Sequence, residues 1–225
     1  MSTQIISQAE AIVEMIDRMP ADSVLIQHGV GWNDYEELLR AVGDAPGQHI
    51  SFDDGTLQIT TLSFKHEKYV RLIERIIDRL SARLLIKVLS YGSATMKKER
   101  DQKGAEPDAC YYVQSAELVG KKDEIDLNVD PPPDVVVEID LHHESISKTP
   151  IYAALGVPEL WRYDGNTVTI YHLREEQYVV SEASESLPLL TSAILTEFLA
   201  RIPREDQYEI LSAFEEWLKG NSSGE

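Results

Sequence analysis

One stretch of the chain interleaves strand-forming residues with residues able to do chemistry: Pro133-Asp134-Val135-Val136-Val137-Glu138-Ile139-Asp140. Successive side chains of a strand point to opposite faces, so Asp134, Val136, Glu138 and Asp140 share one face while Val135, Val137 and Ile139 share the other. Acids projecting side by side from an apolar strand demand a cation, which can be a metal ion, a lysine or arginine, or a proton. A second Pro-Asp pair, Pro107-Asp108, opens another strand-like run upstream, Ala109 to Val113. If the two strands are neighbours, Asp108 and Glu138 each offer oxygen to one hard divalent cation, and Mg2+ typically takes one or two carboxylates while keeping several waters. Asp140 stands as an auxiliary ligand. A cation held there can activate water and neutralise charge developing on a phosphodiester. Lys148, at the start of the next expected helix, can reach back to orient that water. The expected site therefore places Asp108, Glu138 and Lys148 in catalysis, and Asp108, Glu138 and Asp140 around Mg2+, with Mn2+ as the alternative ion.

Each residue also has a plainer reading. Glu138 also reads as a buried acid paired with Arg162 or Lys148, and Asp108 alone as the start of a strand or turn. Asp134, after three prolines, reads as a strand-entry residue. Lys148 fits a solvated helix end, although the helix dipole mildly disfavours a cation there. His66 shares a helical face with Val70 and Ile73 and is expected as a core histidine. Tyr152, one turn past Lys148, is expected to pack. The case for a metal site rests on the acids occurring together.

The elements that must position these groups follow from periodicity. Gln8 to Met19 reads as an amphipathic helix stopped by Pro20, and Tyr35 to Val42 as a second short helix. Ile50 to Leu62 alternates around Asp54-Gly55, a two-residue turn signal, and predicts a hairpin. From Lys65, apolar residues recur at helical spacing with a stripe of arginines opposite; Glu67, Glu74 and Asp78 among them suggest a solvated, salt-bridged face. Strands are expected over Leu84 to Ser90, Ala109 to Val113 and Asp134 to Leu141, with a long polar loop before the last. A helix capped by Thr149 and ended by Gly156 comes next, then strands at Leu160 to Tyr163, Thr167 to His172 and around Tyr178 to Ser181. Thr191 to Ile202 and Arg204 to Leu218 close the chain as helices broken by Pro203. The order predicts an α/β fold, a mixed sheet flanked by helices, with extra β-hairpins and C-terminal helices. A single domain is expected over 1–225: an N-terminal helical extension at 1–49, a core at 50–190 and C-terminal helices at 191–225.

The chain has 225 residues, 21 basic and 39 acidic, for a net charge of −18, which opposes non-specific attraction to nucleic-acid phosphates. The basic residues concentrate between Lys65 and Lys103, and Lys97, Lys98, Arg100 and Lys103 lie just before Asp108, where they are expected to meet phosphates. The one cysteine, Cys110, excludes an internal disulfide and a thiolate zinc cluster, and is expected to be a buried structural thiol. No apolar run approaches membrane-spanning length and no leader is evident, so a cytoplasmic protein without membrane contact is expected. No glycine-rich phosphate loop is present.

The hairpin, the His-bearing helix, the Pro-Asp strand, the strand Pro133 to Glu138, the lysine before a tyrosine, and the string Pro150-Ile151-Tyr152-Ala153-Ala154-Leu155-Gly156-Val157-Pro158-Glu159 followed by Leu160-Trp161 resemble the Uma2 family of restriction-endonuclease-like proteins, within the PD-(D/E)XK nuclease superfamily. The resemblance covers roughly Ile50 to Leu190. It implies a restriction-endonuclease-like fold, a metal-dependent endonuclease acting on DNA, Asp108 and Glu138 as the acids of the two half-motifs, and Lys148 as a lysine moved to the following helix. The position two after the glutamate, lysine in the superfamily pattern, is Asp140. The hairpin position four before the glycine, acidic in many relatives, is Ser51. The rival expectation is a catalytically inactive nuclease-fold protein acting as an interaction or regulatory module, a homodimer joined through an apolar face of Ile210, Leu211, Phe214, Trp217 and Leu218.

Overall fold

In the computed structural model, which describes residues 8–43, 47–122, 124–141 and 147–221, the elements run in the order α1 (Gln8–Ile16), β1 (Val24–His28), α2 (Trp32–Val42), β2 (Gln48–Asp53), β3 (Thr56–Thr61), α3 (Phe64–Leu84), β4 (Leu89–Gly92), β5 (Met96–Lys98), β6 (Lys103–Ala105), β7 (Ala109–Tyr112), α4 (Ala116–Val119), β8 (Val135–Ile139), α5 (Thr149–Leu155), β9 (Glu159–Tyr163), β10 (Val168–Arg174), β11 (Gln177–Ser181), α6 (Ser192–Leu199) and α7 (Gln207–Asn221). The strands form two sheets. One has five strands in the order β1-β3-β2-β6-β5, and the other six in the order β11-β10-β9-β8-β7-β4. Every pair is antiparallel except β8 with β9, which makes the larger sheet mixed.

The alternation in β8 decides which layer lies on which side. Val135, Val137 and Ile139 pack with Ala109, Tyr111, Trp161 and Tyr163 against the apolar sides of α3, α6 and α7. Val136, Cys110 and Leu160 face the opposite way, onto Ile151, Tyr152 and Leu155 of α5 and onto Met96 and Ala105 of the smaller sheet. Glu138 shares the second side with Val136. A separate cluster, with Tyr35 and Leu38 of α2 over Ile50, Phe52, Leu57 and Ile59, holds the helices of the N-terminal part against the smaller sheet. The β2–β3 hairpin turns at Asp54 and Gly55, both at positive φ (43° and 84°), as a two-residue turn of this kind requires.

Several elements depart from the sequence reading. Residues 24–28, within the stretch read as helical, form β1 on the edge of the smaller sheet, paired with β3. The helix expected from Lys65 runs through Leu84 and stops on a left-handed Leu85 (φ 55°), so the strand expected at Leu84 begins only at Leu89. β5 and β6, three residues each, escape periodicity altogether. The long loop before β8 contains α4, whose Ala116 and Val119 are buried against Tyr112. The apolar face of the last helix, expected to join two copies, is already used: Ile210, Leu211, Phe214 and Leu218 are buried in the main core, with Trp217 stacked on Phe214. Arg71 of the arginine stripe pairs along α3 as expected, with Glu67 and Glu74, while Arg79 reaches across to Glu215 of α7. Cys110 is buried, and burial pushes its thiol up to about 12. No helix among the described residues is long and apolar enough to cross a membrane.

Candidate active site

Asp108 sits where the chain leaves the smaller sheet for the larger one. Pairing of Ser51 with Ala105 carries β2 alongside β6, and the Glu106 carboxylate and backbone N–H lock onto the N–H and carbonyl of Ile50. This brings His49, two residues earlier on the same face of β2 as Ser51, beside Asp108, with His49 Nδ1 3.0 Å from Oδ1. From the other direction, Ser63 caps α3 by accepting the His66 N–H, and His66, on the buried side of the first turn, places Nε2 3.1 Å from Asp108 Oδ2. The larger sheet closes the third side, because Ala109 pairs with Val137 and the Ile139 N–H donates to Asp108 Oδ2. The carboxylate is 3% exposed. Burial pushes Asp108 up, but the hydrogen bonds and charge of the two histidines outweigh it and hold the carboxyl far below the usual carboxylate range. In return, Asp108 lifts His66 above its ordinary value against the effect of burial.

Glu138 occupies the adjacent strand. Its partners come from the start of α5: Lys148 Nζ lies 3.0 Å from Oε1 and 2.9 Å from Oε2, and the Tyr152 hydroxyl, one helical turn on, donates to Oε1. The ammonium's third proton goes to the Glu106 carbonyl, 3.2 Å away. Both side chains of the ion pair are 13% exposed. Burial raises the Glu138 carboxyl and the nearby Asp108 charge raises it further, while Lys148 and Tyr152 pull it down; the net direction is upward. Lys148 is itself held above its ordinary value, because the charges of Glu138, Asp108 and Glu106 outweigh its burial.

These groups line one cleft of about 220 Å3, walled by β3 residues Gln58, Thr60 and Thr61 on one side and by Asp140, Leu141, Thr149 and Arg162 on the other. Asp108, Glu138, Asp140 and Lys148 all reach it. Asp140 is engaged by the Arg162 guanidinium, which comes from β9 because Glu138 pairs with Arg162 across the parallel register. Of the two cations expected beside Glu138, Lys148 is its partner, and Arg162 serves Asp140. Ser51 is buried but does not line the cleft. The basic group before Asp108 is turned elsewhere: Lys97 pairs with Glu36, Arg100 with Asp101, Lys103 with Asp53, and Lys98 donates to the Leu155 carbonyl. Those strands fold back on the smaller sheet, so none of the four lines the cleft.

The donor set suits a hard divalent cation. An ionised carboxylate offers about four acceptor positions. Among the described residues Asp108 uses three (His49, His66 and Ile139) and Glu138 three (Lys148 twice and Tyr152), which leaves about one on each. Burial raises Glu138 first and the Asp108 charge raises it further, and a cation between the two acids relieves both. The described residues form no preassembled group of three or more His, Cys, Asp or Glu ligands.

His49 and His66 were not legible as site residues. His66 was read as core, and its burial is real, but the same helix face that enters the core ends on Asp108. His49 carried one usable signal: it alternates with Ser51 on the face of the hairpin where an acid was expected. Asp134 is a strand-entry residue, its carboxylate accepting from the Val113 and Ser115 N–H groups and the Ser115 hydroxyl. A further buried acid, Glu159, opens β9 opposite Val135 and accepts from the Trp161 indole and the Glu185 and Ser186 N–H groups, so it fastens the segment before α6.

Comparison with known proteins agrees with this architecture. A crystal structure of "a putative nuclease belonging to DUF820" from Anabaena variabilis ATCC 29413 is similar in fold, with a TM-score of 0.51 over 73% of this chain and 97% of that one, at 17% sequence identity. No curated protein matches the sequence. The family model described as "Putative restriction endonuclease" matches residues 32–202, which include the larger sheet, every strand of the smaller one but β1, the two histidines, the Pro-Asp strand and the lysine-bearing helix. The chain belongs to this family, Uma2.

Proposed function

We propose that the cleft is the active site of a metal-dependent endonuclease that hydrolyses DNA phosphodiester bonds, with Asp108 and Glu138 as the metal ligands. The observation that carries this reading is the pair of buried carboxylates on adjacent strands, each with an acceptor position left and each fixed by its own set of donors. Mg2+ or Mn2+ bound there would supply a Lewis acid and an activated water. The protein's own groups do the rest. His49 and His66 fix the orientation of Asp108 from two sides, and Tyr152 fixes Glu138. Lys148 is the water-positioning cation; its three protons are engaged, so it orients an attacking water by giving up one Glu138 oxygen or the Glu106 carbonyl. Asp140 faces the same cleft, and its Oδ2 holds the Arg162 guanidinium, so we assign it first to position that arginine, with acceptor positions left to serve as an auxiliary ligand.

The test is cleavage of single- and double-stranded DNA in Mg2+ and in Mn2+. Cutting is expected from the wild type and is expected to vanish in Glu138→Ala, with Mn2+ binding measured by calorimetry lost in step. A wild type that cuts neither substrate with either ion defeats the reading.

A further inference from the structure

A phosphodiester entering this cleft meets an acidic wall of Asp22, Asp108, Glu138 and Asp140, so some cation must receive it. Two lysine or arginine side chains line the cleft among the described residues, Lys148 and Arg162. Lys148 is 13% exposed and has an acceptor for each of its three protons. Arg162 differs on both counts. Its side chain is 40% exposed, and a guanidinium has five N–H donors, of which Asp140 and Tyr171 are the partners among the described residues. It also emerges beside Glu138 in the parallel register, so it stands next to the proposed ligand rather than at the rim of the molecule. An ion pair this exposed adds little to stability. A planar fork with donors to spare among the described residues, in contrast, matches a phosphate.

Resting on the endonuclease reading, we propose that Arg162 is the residue that binds the DNA phosphate in the cleft, and that Asp140 is the positioning residue that aims its guanidinium. The strand position that holds a carboxylate here, Asp140, is thereby compensated from the neighbouring strand. The pairing restrains Arg162 without exhausting it. Substituting either member of the pair then acts in opposite directions on binding: loss of Arg162 removes a charged contact, whereas neutralising Asp140 removes a competing anion.

Fluorescence anisotropy of a fluorescein-labelled DNA duplex, in metal-free buffer at low salt, reads this without cleavage. Arg162→Ala and Arg162→Gln are expected to weaken binding by about tenfold, the size of one charged hydrogen bond. The slope of log affinity against log salt is expected to fall by about 0.9, one phosphate contact. Asp140→Asn is expected to bind more tightly than the wild type. A purely structural pair predicts that all three variants move the same way or not at all; that result overturns the proposal, as does a wild type that does not bind the duplex. Circular dichroism identifies any variant that fails to fold, and Asp140→Asn keeps the test open if both arginine variants do. Cleavage by the wild type and its loss in Glu138→Ala, run on the same duplex with Mn2+, report separately on the nuclease reading: cutting without an Arg162 effect removes the phosphate role alone.

Discussion

The Lys148–Glu138 pair permits a prediction whose sign, as well as size, comes from the geometry. In Lys148→Met, Glu138 keeps only Tyr152 and the repulsion of Asp108 in a nearly closed site. The cheapest escape is to take up a proton. From an ordinary carboxyl value of 4.5, that limits the penalty to about 3.4 kcal/mol at pH 7 and about 0.7 kcal/mol at pH 5, at 1.36 kcal/mol per pH unit. In Glu138→Gln, the stranded group is the ammonium, and losing its proton from an ordinary value of 10.5 limits the penalty to about 4.8 kcal/mol at pH 7 and about 2 kcal/mol at pH 9. The carboxyl of the first variant has a raised folded value, so its destabilisation grows as pH rises past 4.5. The ammonium of the second loses its largest counter-charge and keeps Asp108 and Glu106, so the destabilisation left by its burial grows as pH falls below 10.5. Urea unfolding of metal-free protein between pH 5 and 9 should therefore give two opposite slopes. The double variant, with neither charge stranded, should lie within about 1 kcal/mol of the wild type, as replacing both members of a buried pair often does. Parallel slopes, or a double variant as unstable as the two single losses combined, would falsify the pairing and with it the account of how α5 holds Glu138.

The Asp108 cluster makes a companion prediction. Its depressed carboxyl contributes stability that is present above 3.8 and lost as pH falls through the folded value. The raised His66 contributes stability that is present below 6.5 and lost as pH rises through its own folded value. The difference in unfolding free energy between wild type and Asp108→Asn is thus expected to be largest between those limits and to shrink on both sides; a monotonic curve would show that the histidines do not share this carboxylate. Tyr152→Phe removes one donor to a buried carboxylate, worth about 1.5–3 kcal/mol, and should lower the urea midpoint without changing the slope of the transition; a change below about 0.5 kcal/mol would leave Tyr152 as packing alone.

The parts of this fold that were legible are those whose information is local. The alternation of β8, the helical spacing after Lys65 and the Asp54-Gly55 turn each lie within a few residues, and each forms close to where it was expected. Asp108 and Glu138 were legible as candidates because a carboxylate in an apolar strand needs an explanation wherever its neighbours lie. What surrounds them was not. His49 reaches Asp108 only because β2 pairs with a three-residue strand, β6, too short to leave a period in the sequence. His66 lies on the buried stripe of α3, and the stripe says that the ring is covered without saying that a carboxylate covers it. The basic segment Lys97 to Lys103 misled for the same reason. Closeness in sequence to Asp108 suggested closeness in space, yet β5 and β6 fold back on the smaller sheet and take their lysines to Glu36 and Asp53.

Arg162 shows how such a residue could be noticed earlier. It stands between Trp161 and Tyr163, both buried, in a strand with apolar neighbours, so its side chain must leave the sheet on the face opposite those rings, the side of Glu138 and α5. An arginine obliged to emerge beside an acid-bearing strand is constrained in the way Glu138 is, and the same alternation argument applies to both. The net charge of −18 sharpens the consequence. A chain this acidic does not attract a duplex through its overall field, so whatever affinity the cleft has must come from contacts made inside it. Within that cleft the buried ammonium is committed to Glu138 and Glu106, and the exposed guanidinium is not fully committed to Asp140. In the proposed reaction, affinity and chemistry therefore fall to different cations: Arg162 would hold the phosphate and Lys148 would orient the water that attacks it.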